Sequence, residues 1–462
     1  LAAVCALTVL PEVGPSLQPY QLGVGVRGGA QIVGHAVHAG CDDPATVTAQ
    51  VDLRNAFNSV SRQAVLTQVF ERVPALGPWA AYAYGLPSKL YVDGAPDGSG
   101  PILSCDGVRQ GDPTGPLLFA LAIQPELESA AQGHPDCSLV AYADDITLQG
   151  SQHAVECTFR YLSTVLAALR LQVNPTKCKV YCADHAVATE TAANIGCSAD
   201  TLLVVAGTPI GDAERVSQHV AARVASTAAC IDKLVGLPLS PQEQHLILQG
   251  ALQHREDHLL RVVQWSILHE PMKNLEGKLV AAIKAIADLS DEELQAPQRE
   301  LLHLPHRHGG FAVQRFDEDM ADAAFLAAAA LADKAMARGS PSLQPFTNHG
   351  GADLRARWER LRQAYPEVCP QAMPPDVLVQ QFLPEAQRTI TRARAQRRFA
   401  HLIAQHQDAV DAGHMQQPFQ AQRECARLRS NACRPASAWL TTLPTSPALR
   451  LQPEEFLTSF RL

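Results

Sequence analysis

The sequence predicts an α/β (α+β) fold: an antiparallel sheet backed by helices within residues 1–211, followed by two helical regions. Three observations carry this expectation. Val47, Ala49 and Val51 alternate with Thr48, Gln50 and Asp52, the two-residue period of a half-buried strand. The runs 138–143 and 146–149 are short, rich in apolar residues and separated by Asp144 and Asp145, as expected of a hairpin. After residue 211 the pattern becomes helical. Ser240-Pro241-Gln242-Glu243 is a capping box with Pro at the first helical position, and Leu246, Leu248, Leu252, Leu259 and Val263 follow at mixed helical spacings.

A chain of 462 residues exceeds what one hydrophobic core usually serves. Texture divides it into 1–211, which holds every chemically suggestive motif, a helical region 212–338, and a helical C-terminal region 352–462. The stretch from Gly339 to Gly351, rich in Gly, Pro, Ser and Asn, is the expected linker. The alanine-heavy stretch from Ala321 to Ala337 predicts one buried helix, and Arg388, Arg392, Arg394, Arg397 and Arg398 form either a solvated helix face or a nucleic-acid contact.

Composition narrows the class. No apolar run approaches the roughly 20 residues of a membrane span, and Leu1 to Leu10 carries no basic leader, so a soluble intracellular protein is expected, cytoplasmic or nuclear. Twelve cysteines without a CxxC pair predict reduced thiols rather than disulfides or structural zinc. Charge points the other way from the motifs below. The net charge is −8, and residues 1–211 hold all of it, with 10 Lys and Arg against 18 Asp and Glu. A duplex-binding surface normally presents basic residues to phosphates, so such a protein is expected to draw positive charge from elsewhere.

Asp52 closes its strand and is followed by a turn of small polar residues leading to a helix that Ser61 could cap. Asp144 and Asp145 adjoin one another, and like charges a few Å apart resist joint ionisation unless a cation lies between them. A third carboxylate from a neighbouring strand end would complete a hard-oxygen cage suited to Mg²⁺ or Mn²⁺. Two such ions about 3.5–4 Å apart serve phosphoryl transfer. Taken alone, an Asp-Asp pair is most simply a solvated turn.

The pair does not stand alone. Asp52-x-x-x-Ala56-Phe57, Gly107-Val108-Arg109-Gln110-Gly111-Asp112-Pro113, Tyr142-Ala143-Asp144-Asp145 and Leu171-Gln172-Val173-Asn174-Pro175-Thr176-Lys177-Cys178 follow one another in the order of reverse transcriptase motifs A to D. The sequence resembles the reverse transcriptases of LINE-type (non-LTR) retrotransposons. Gln21-Leu22-Gly23-Val24-Gly25-Val26 with Gly28-Gly29 is similar to the motif joining fingers to palm, Gly207-Thr208-Pro209-Ile210-Gly211 to the primer grip, and Leu304-Pro305 with Gly309-Gly310-Phe311 to a segment after the thumb.

The resemblance implies a right-hand polymerase fold with a palm, a helical thumb and a helical C-terminal region. It implies RNA-directed DNA polymerase activity with two Mg²⁺ ions, Mn²⁺ being an alternative, held by Asp52, Asp144 and Asp145. Phe57 would lie under the incoming sugar and exclude a 2′-hydroxyl, against the plainer reading of a core phenylalanine. Gln110, Gly111 and Tyr142 would adjoin the nucleotide, and Asp112 with Pro113 could cap the next helix. Lys177 would protonate the pyrophosphate leaving group. Gly207 and Gly211 would belong to the primer grip. His306 and His308 are expected in a turn rather than as ligands.

Alanine in place of the glycine that usually precedes the paired aspartates of RNA-templated RNA polymerases favours a DNA product. The implied partners are an RNA template, a DNA primer, deoxynucleoside triphosphates and the remainder of a retrotransposon polyprotein, with no membrane. The chain starts just ahead of the Gln21 motif, so most of the basic fingers region is expected to lie outside it, and it is expected to bind primer–template weakly by itself. Two rivals remain: an inactive remnant that keeps the fold and binds RNA, and a maturase-like splicing cofactor. Intact Asp52, Asp144, Asp145 and Gln110 disfavour the first, and the balanced charge after residue 211 the second.

Overall fold

The computed structural model describes residues 2–41, 43–91, 100–291, 298–337, 351–371 and 377–411, with pieces at 339, 343–346, 373 and 454. Along the chain lie α1 (Ala2–Leu17), α2 (Gly29–Cys41), β1 (Val47–Val51), α3 (Ala56–Ser59), α4 (Arg62–Arg72), α5 (Gly77–Tyr84), β2 (Ser88–Leu90), β3 (Ile102–Ser104), α6 (Gly115–Gly133), β4 (Cys137–Tyr142), β5 (Asp145–Gly150), α7 (Gln152–Ala168), β6 (Lys179–Tyr181), α8 (His185–Ile195), β7 (Ser198–Ala199), β8 (Leu202–Val205) and β9 (Thr208–Gly211). Helices follow: α9 (Ala213–Val235), α10 (Pro241–Gly250), α11 (Asp257–Val262), α12 (Trp265–Ile286), α13 (Gln298–His303), α14 (Glu318–Met336), α15 (Gly351–Ala364) and α16 (Ala386–Asp411). They form two compact units, Leu1–Val216 with Ala328–Ala356, and Ser217–Ala327 with Arg357–Leu462.

In the first unit a five-stranded sheet runs in the order β4-β5-β1-β6-β7, antiparallel except for the β6–β7 pair. The period-two pattern decides what each face meets. Val47, Ala49, Val51, Leu139, Ala141, Ile146 and Leu148 join the main core with Leu117, Leu118, Phe119 and Leu121 of α6 and Phe159 and Leu162 of α7. The opposite face was expected to be solvated. It is buried instead: Thr48, Thr147 and Gln149 are at most 3% exposed. The polar side chains there are only partly paired: Gln149 Nε2 donates to Val37 O at 2.8 Å and to Thr48 Oγ1 at 2.9 Å, while Gln149 Oε1 and Thr147 Oγ1 have no partner among the described residues. A second cluster on this side joins Leu22, Ile32, Val33, Val37 and Val140 to Leu203, Val205 and Ile210 and to Ala332, Met336 and Leu343.

Capping follows local sequence. Ser61 Oγ accepts from Ala64 N at the start of α4, and Ser240 and Glu243 form the reciprocal box on α10, with Pro241 opening the helix. Asp112 differs from the expectation. Its carboxylate accepts from Thr114 N and Thr114 Oγ1, both at 2.8 Å, while Thr114 stands at the cap position and α6 opens with Gly115-Pro116. The aspartate thus shapes the turn before the helix rather than capping it directly.

The division into units departs from the three consecutive regions that texture suggested. The first break falls at Val216, inside α9, and the chain rejoins the first unit at Ala328, inside α14. Helix α14 is buried from Ala321 to Ala330, so its composition gives no sign of where its packing partners change. The Gly339–Gly351 stretch and the chain beyond 411 lie largely outside the described residues.

In the second unit, His306 and His308 flank one 3₁₀ turn closed by Gly309 at φ 75°, and His308 stacks on Phe399 with ring centroids 5.0 Å apart. The arginine cluster of α16 serves packing in part. Arg394 and Arg398 pair with Asp317, and Arg397 pairs with Glu367 and lies 4.6 Å over the Tyr365 ring, while Arg388 and Arg392 are exposed. Asp322, 1% exposed, accepts from Arg357 at 2.7 Å and from Arg360 at 2.5 Å. Asp322→Ala leaves a buried guanidinium without its counter-charge and is expected to cost about 3–5 kcal/mol. The check is the urea midpoint of the full chain, and a shift equivalent to under 1 kcal/mol would contradict it.

Candidate active site

Strand β1 ends at Val51, opposite Ile146, so Asp52 continues the ladder toward Asp145. In the hairpin Tyr142 pairs with Asp145, which leaves Ala143 and Asp144 as the turn. Ala143 adopts φ 57°, the left-handed conformation such tight turns require. Asp145 is therefore the first residue of a central strand, Asp144 the turn tip, and Asp52 the end of the adjoining strand. All three are half-buried. Burial, and then the negative charges of Asp144 and Asp52, push the Asp145 carboxyl up to about 6. Asp144 is raised too, by burial and by Asp52. Both outside charges acting on Asp145 are negative, so this cluster of hard oxygens favours an added cation. Among the described residues no three His, Cys, Asp or Glu side chains stand close enough together to hold a metal ion as they are placed.

Each carboxylate arm has a neutral support that the motifs did not announce. Asn174 Nδ2 donates to Asp52 Oδ2 at 3.0 Å, Asn174 N donates to Asp52 O at 2.8 Å, and Thr176 Oγ1 fixes the amide by donating to Asn174 Oδ1 at 2.9 Å. Asp52 N in turn donates to Cys178 Sγ at 3.3 Å. On the hairpin side, the Gln21 amide bonds both backbone groups of Ala143. Asn174→Ala is expected to lower the turnover of primer extension about tenfold, the lower end of what loss of a ligand's supporting hydrogen bond costs. Single-turnover extension rates test this, and an unchanged rate would leave Asn174 with a turn-forming role only.

The segment after Asp52 meets the Gly107–Pro113 turn directly. Val108 N donates to Phe57 O at 2.7 Å and Gly107 N to Val60 O at 2.9 Å. Gly107 sits at φ 69°, and a Cβ there would lie 2.2 Å from the Asn58 carbonyl carbon, so only glycine permits the approach. Arg62, buried, donates to Gly107 O at 2.9 Å and to Ser104 O at 2.6 Å. The guanidiniums of Arg62 and Arg109 lie 5.4 and 5.1 Å from the centroid of the Tyr84 ring, and the Tyr84 hydroxyl donates to Asp112 at 2.5 Å. Burial, with that bond to Asp112, pushes the Tyr84 hydroxyl up to about 12. On this frame Gln110 and Gly111 are exposed, and a side chain at Gly111 would meet open space. The Phe57 ring is half-buried and stacks on Phe119 with centroids 4.6 Å apart.

The other predicted residues fall as follows. Lys177 is exposed on the turn whose Asn174 holds Asp52. Tyr142 is half-buried against the cluster containing Leu22 and Ile32. Gly207 and Gly211 lie on the β8–β9 hairpin at φ 82° and 146°, and Gln50 of β1 ties that hairpin to the sheet by donating to Val204 O at 3.1 Å.

Residues 21–218 match the family described as Reverse transcriptase (RNA-dependent DNA polymerase). The chain carries a reverse transcriptase domain. A curated relative, the Retrotransposable element SLACS 132 kDa protein of Trypanosoma brucei gambiense, is 23% identical over 269 residues, covering 58% of this chain and 22% of that protein. The chain thus spans under a quarter of that relative's length. The family match and this relative agree: one is to reverse transcriptases, the other to a protein of a retrotransposable element. The polymerase fold of that family agrees with the mixed sheet and helices described above. Reverse transcriptases act on a nucleic-acid template and nucleoside triphosphates with divalent metal ions. No helix among the described residues is long and apolar enough to cross a membrane.

Proposed function

We propose that this chain copies an RNA template into DNA from a DNA primer, as the polymerase portion of a larger non-LTR retrotransposon protein. The observation that carries the reading is the convergence of Asp52, Asp144 and Asp145 at neighbouring strand ends, where burial and neighbouring negative charge raise the carboxyls of Asp144 and Asp145. Two Mg²⁺ or Mn²⁺ ions held there would stabilise the attacking and leaving oxygens of nucleotidyl transfer. Phe57 meets the sugar of the incoming nucleotide and rejects a 2′-hydroxyl. Gln110, the Gly111 backbone and Tyr142 border the same nucleotide, and Gly111 permits close contact because nothing crowds it. Lys177 donates a proton to departing pyrophosphate as a general acid. The hairpin carrying Gly207 and Gly211 supports the primer terminus. In this reading the five-stranded sheet is the palm and residues 1–211 hold part of the fingers, while the helices from 212 to 338 supply the thumb and 352–462 form a further helical region.

The test is primer extension by the full chain on an RNA template annealed to a DNA primer, with Mg²⁺, Mn²⁺ or chelator. Templated, metal-dependent incorporation of deoxynucleotides supports the reading. Binding of RNA without extension under every metal condition would favour the inactive remnant.

A further inference from the structure

We propose that Gln21 is a positioning residue for the paired carboxylates, holding the Ala143–Asp144 turn in its ligand-binding conformation. The proposal rests on the reading of Asp144 and Asp145 as metal ligands. Gln21 is 0% exposed. Its backbone stands beside β4, where Leu22 N donates to Ala141 O at 2.8 Å and Ala141 N to Tyr20 O at 2.6 Å. There the backbone pairing stops, and the side chain extends it. Gln21 Nε2 donates to Ala143 O at 2.9 Å, and Gln21 Oε1 accepts from Ala143 N at 2.7 Å and from Gly23 N at 3.0 Å. A primary amide presents one donor and one acceptor like a peptide group, so this side chain acts as an additional strand residue pairing with the turn.

The residue it grips is the one that needs holding. Ala143 has φ 57°, which a residue with a Cβ adopts at a cost of about 1–2 kcal/mol. Two hydrogen bonds to its N–H and C=O offset that cost. Without them Ala143 relaxes toward negative φ, and the peptide carrying Asp144 rotates with it. Gly23 in the same segment leaves this turn room, since a Cβ there would lie 2.4 Å from Ala143 N. Gln21 touches neither substrate nor ion in this arrangement. It acts through Ala143, and its loss should reduce turnover and metal response rather than nucleotide binding.

The experiment compares the full chain with Gln21→Met, which fills similar volume without the amide, and with Gly23→Ala, which presses on the same turn while keeping every hydrogen-bonding side chain. Gln124→Leu serves as control, because Gln124 is another fully buried amide, bonded to Leu17 O and Glu128 away from the carboxylates. Asp145→Asn completes the set. Measured are kcat and KM for dTTP on an RNA template, the Mg²⁺ midpoint of activation, and the rise in Tm on adding Mn²⁺. Gln21→Met and Gly23→Ala are expected to lower kcat by roughly 10–100-fold with KM within about threefold, raise the Mg²⁺ midpoint, and shrink the Mn²⁺-induced rise in Tm. Gln124→Leu should lower Tm yet keep kcat and the metal response. If Gln21→Met fails to fold, Gly23→Ala decides. Turnover within threefold of the parent and an intact Mn²⁺ response in the folded variants, with Asp145→Asn dead, would overturn the role of Gln21 alone. Extension by Asp145→Asn would instead overturn the metal-ligand reading beneath it.

Discussion

Asp145→Asn is expected to abolish extension while making the metal-free protein more stable at pH 8. The loss should reach at least about 10³-fold, equivalent to about 4 kcal/mol of transition-state stabilisation, because a neutral amide cannot hold the cation that offsets developing charge. The gain in stability follows from linkage. Unfolded, this carboxyl ionises near its ordinary value of about 3.9; folded, burial with Asp144 and Asp52 raises it to about 6. As pH rises through that window the unfolded chain loses its proton first, so stability falls, and above the window the full penalty remains. Asparagine carries no such penalty. After allowance for solvent screening the variant should gain on the order of 1–2 kcal/mol at pH 8 and progressively less toward pH 4. Adding Mg²⁺ should reverse the order, since a site at 100 times its dissociation constant gains about 2.7 kcal/mol that the variant largely forgoes. Urea midpoints at pH 5 and 8, with and without Mg²⁺, supply the check. A variant that extends primers within tenfold of the parent, or is less stable than it at pH 8 without metal, would remove the carboxylates from the centre of the mechanism.

Phe57→Val should raise ribonucleotide incorporation relative to deoxynucleotide by roughly 10–100-fold, a change of about 1–3 kcal/mol in discrimination. Stacking on Phe119, with centroids 4.6 Å apart, fixes the plane of the ring, and a planar group held by packing makes a firm wall against an added hydroxyl. The same stack means the substitution also leaves a void, costing about 1–2 kcal/mol of stability. Competition between ribo- and deoxynucleotide in single-nucleotide extension separates the two effects, because lost active protein cancels from the ratio. An unchanged ratio would return Phe57 to packing against Phe119.

Much of this was legible where a short-range pattern encodes it. The alternation at Val47–Asp52 and the two runs around Asp144 are local signals, and they produce β1, β4 and β5 with the carboxylates at neighbouring strand ends. Ser61 and Ser240 are likewise read from residues three positions on. The supports of the site were not legible. Gln21 and Asn174 each meet partners 122 residues away in the chain, and a neutral amide carries neither charge nor periodicity to mark it. Each was visible only as a letter within a motif. The arginines of α16 illustrate the opposite difficulty: a run that suggested nucleic acid has much of its charge committed to Asp317 and Glu367, partners that no local spacing discloses.

The return of the chain to the first unit at Ala328 bears on how that unit comes into being. Leu22, Ile32, Val33 and Val37 share a cluster with Ala332, Met336 and Leu343, so residues near the start of the chain depend on residues that emerge only after the intervening helices. At synthesis rates of about 5–20 residues per second, the early segments wait on the order of ten seconds between the end of β9 and the arrival of this cover. Contacts so far apart in sequence also make the final closure slow, since a long loop must be ordered before they reward it. During that interval part of an apolar face beside the Asp144–Asp145 hairpin is open to chaperones or to other nascent chains. A fragment cut where the family match ends, at residue 218, would keep this immature surface permanently. A fragment that covers this face therefore has to include the returning helix, although none of the motifs A to D lies in it.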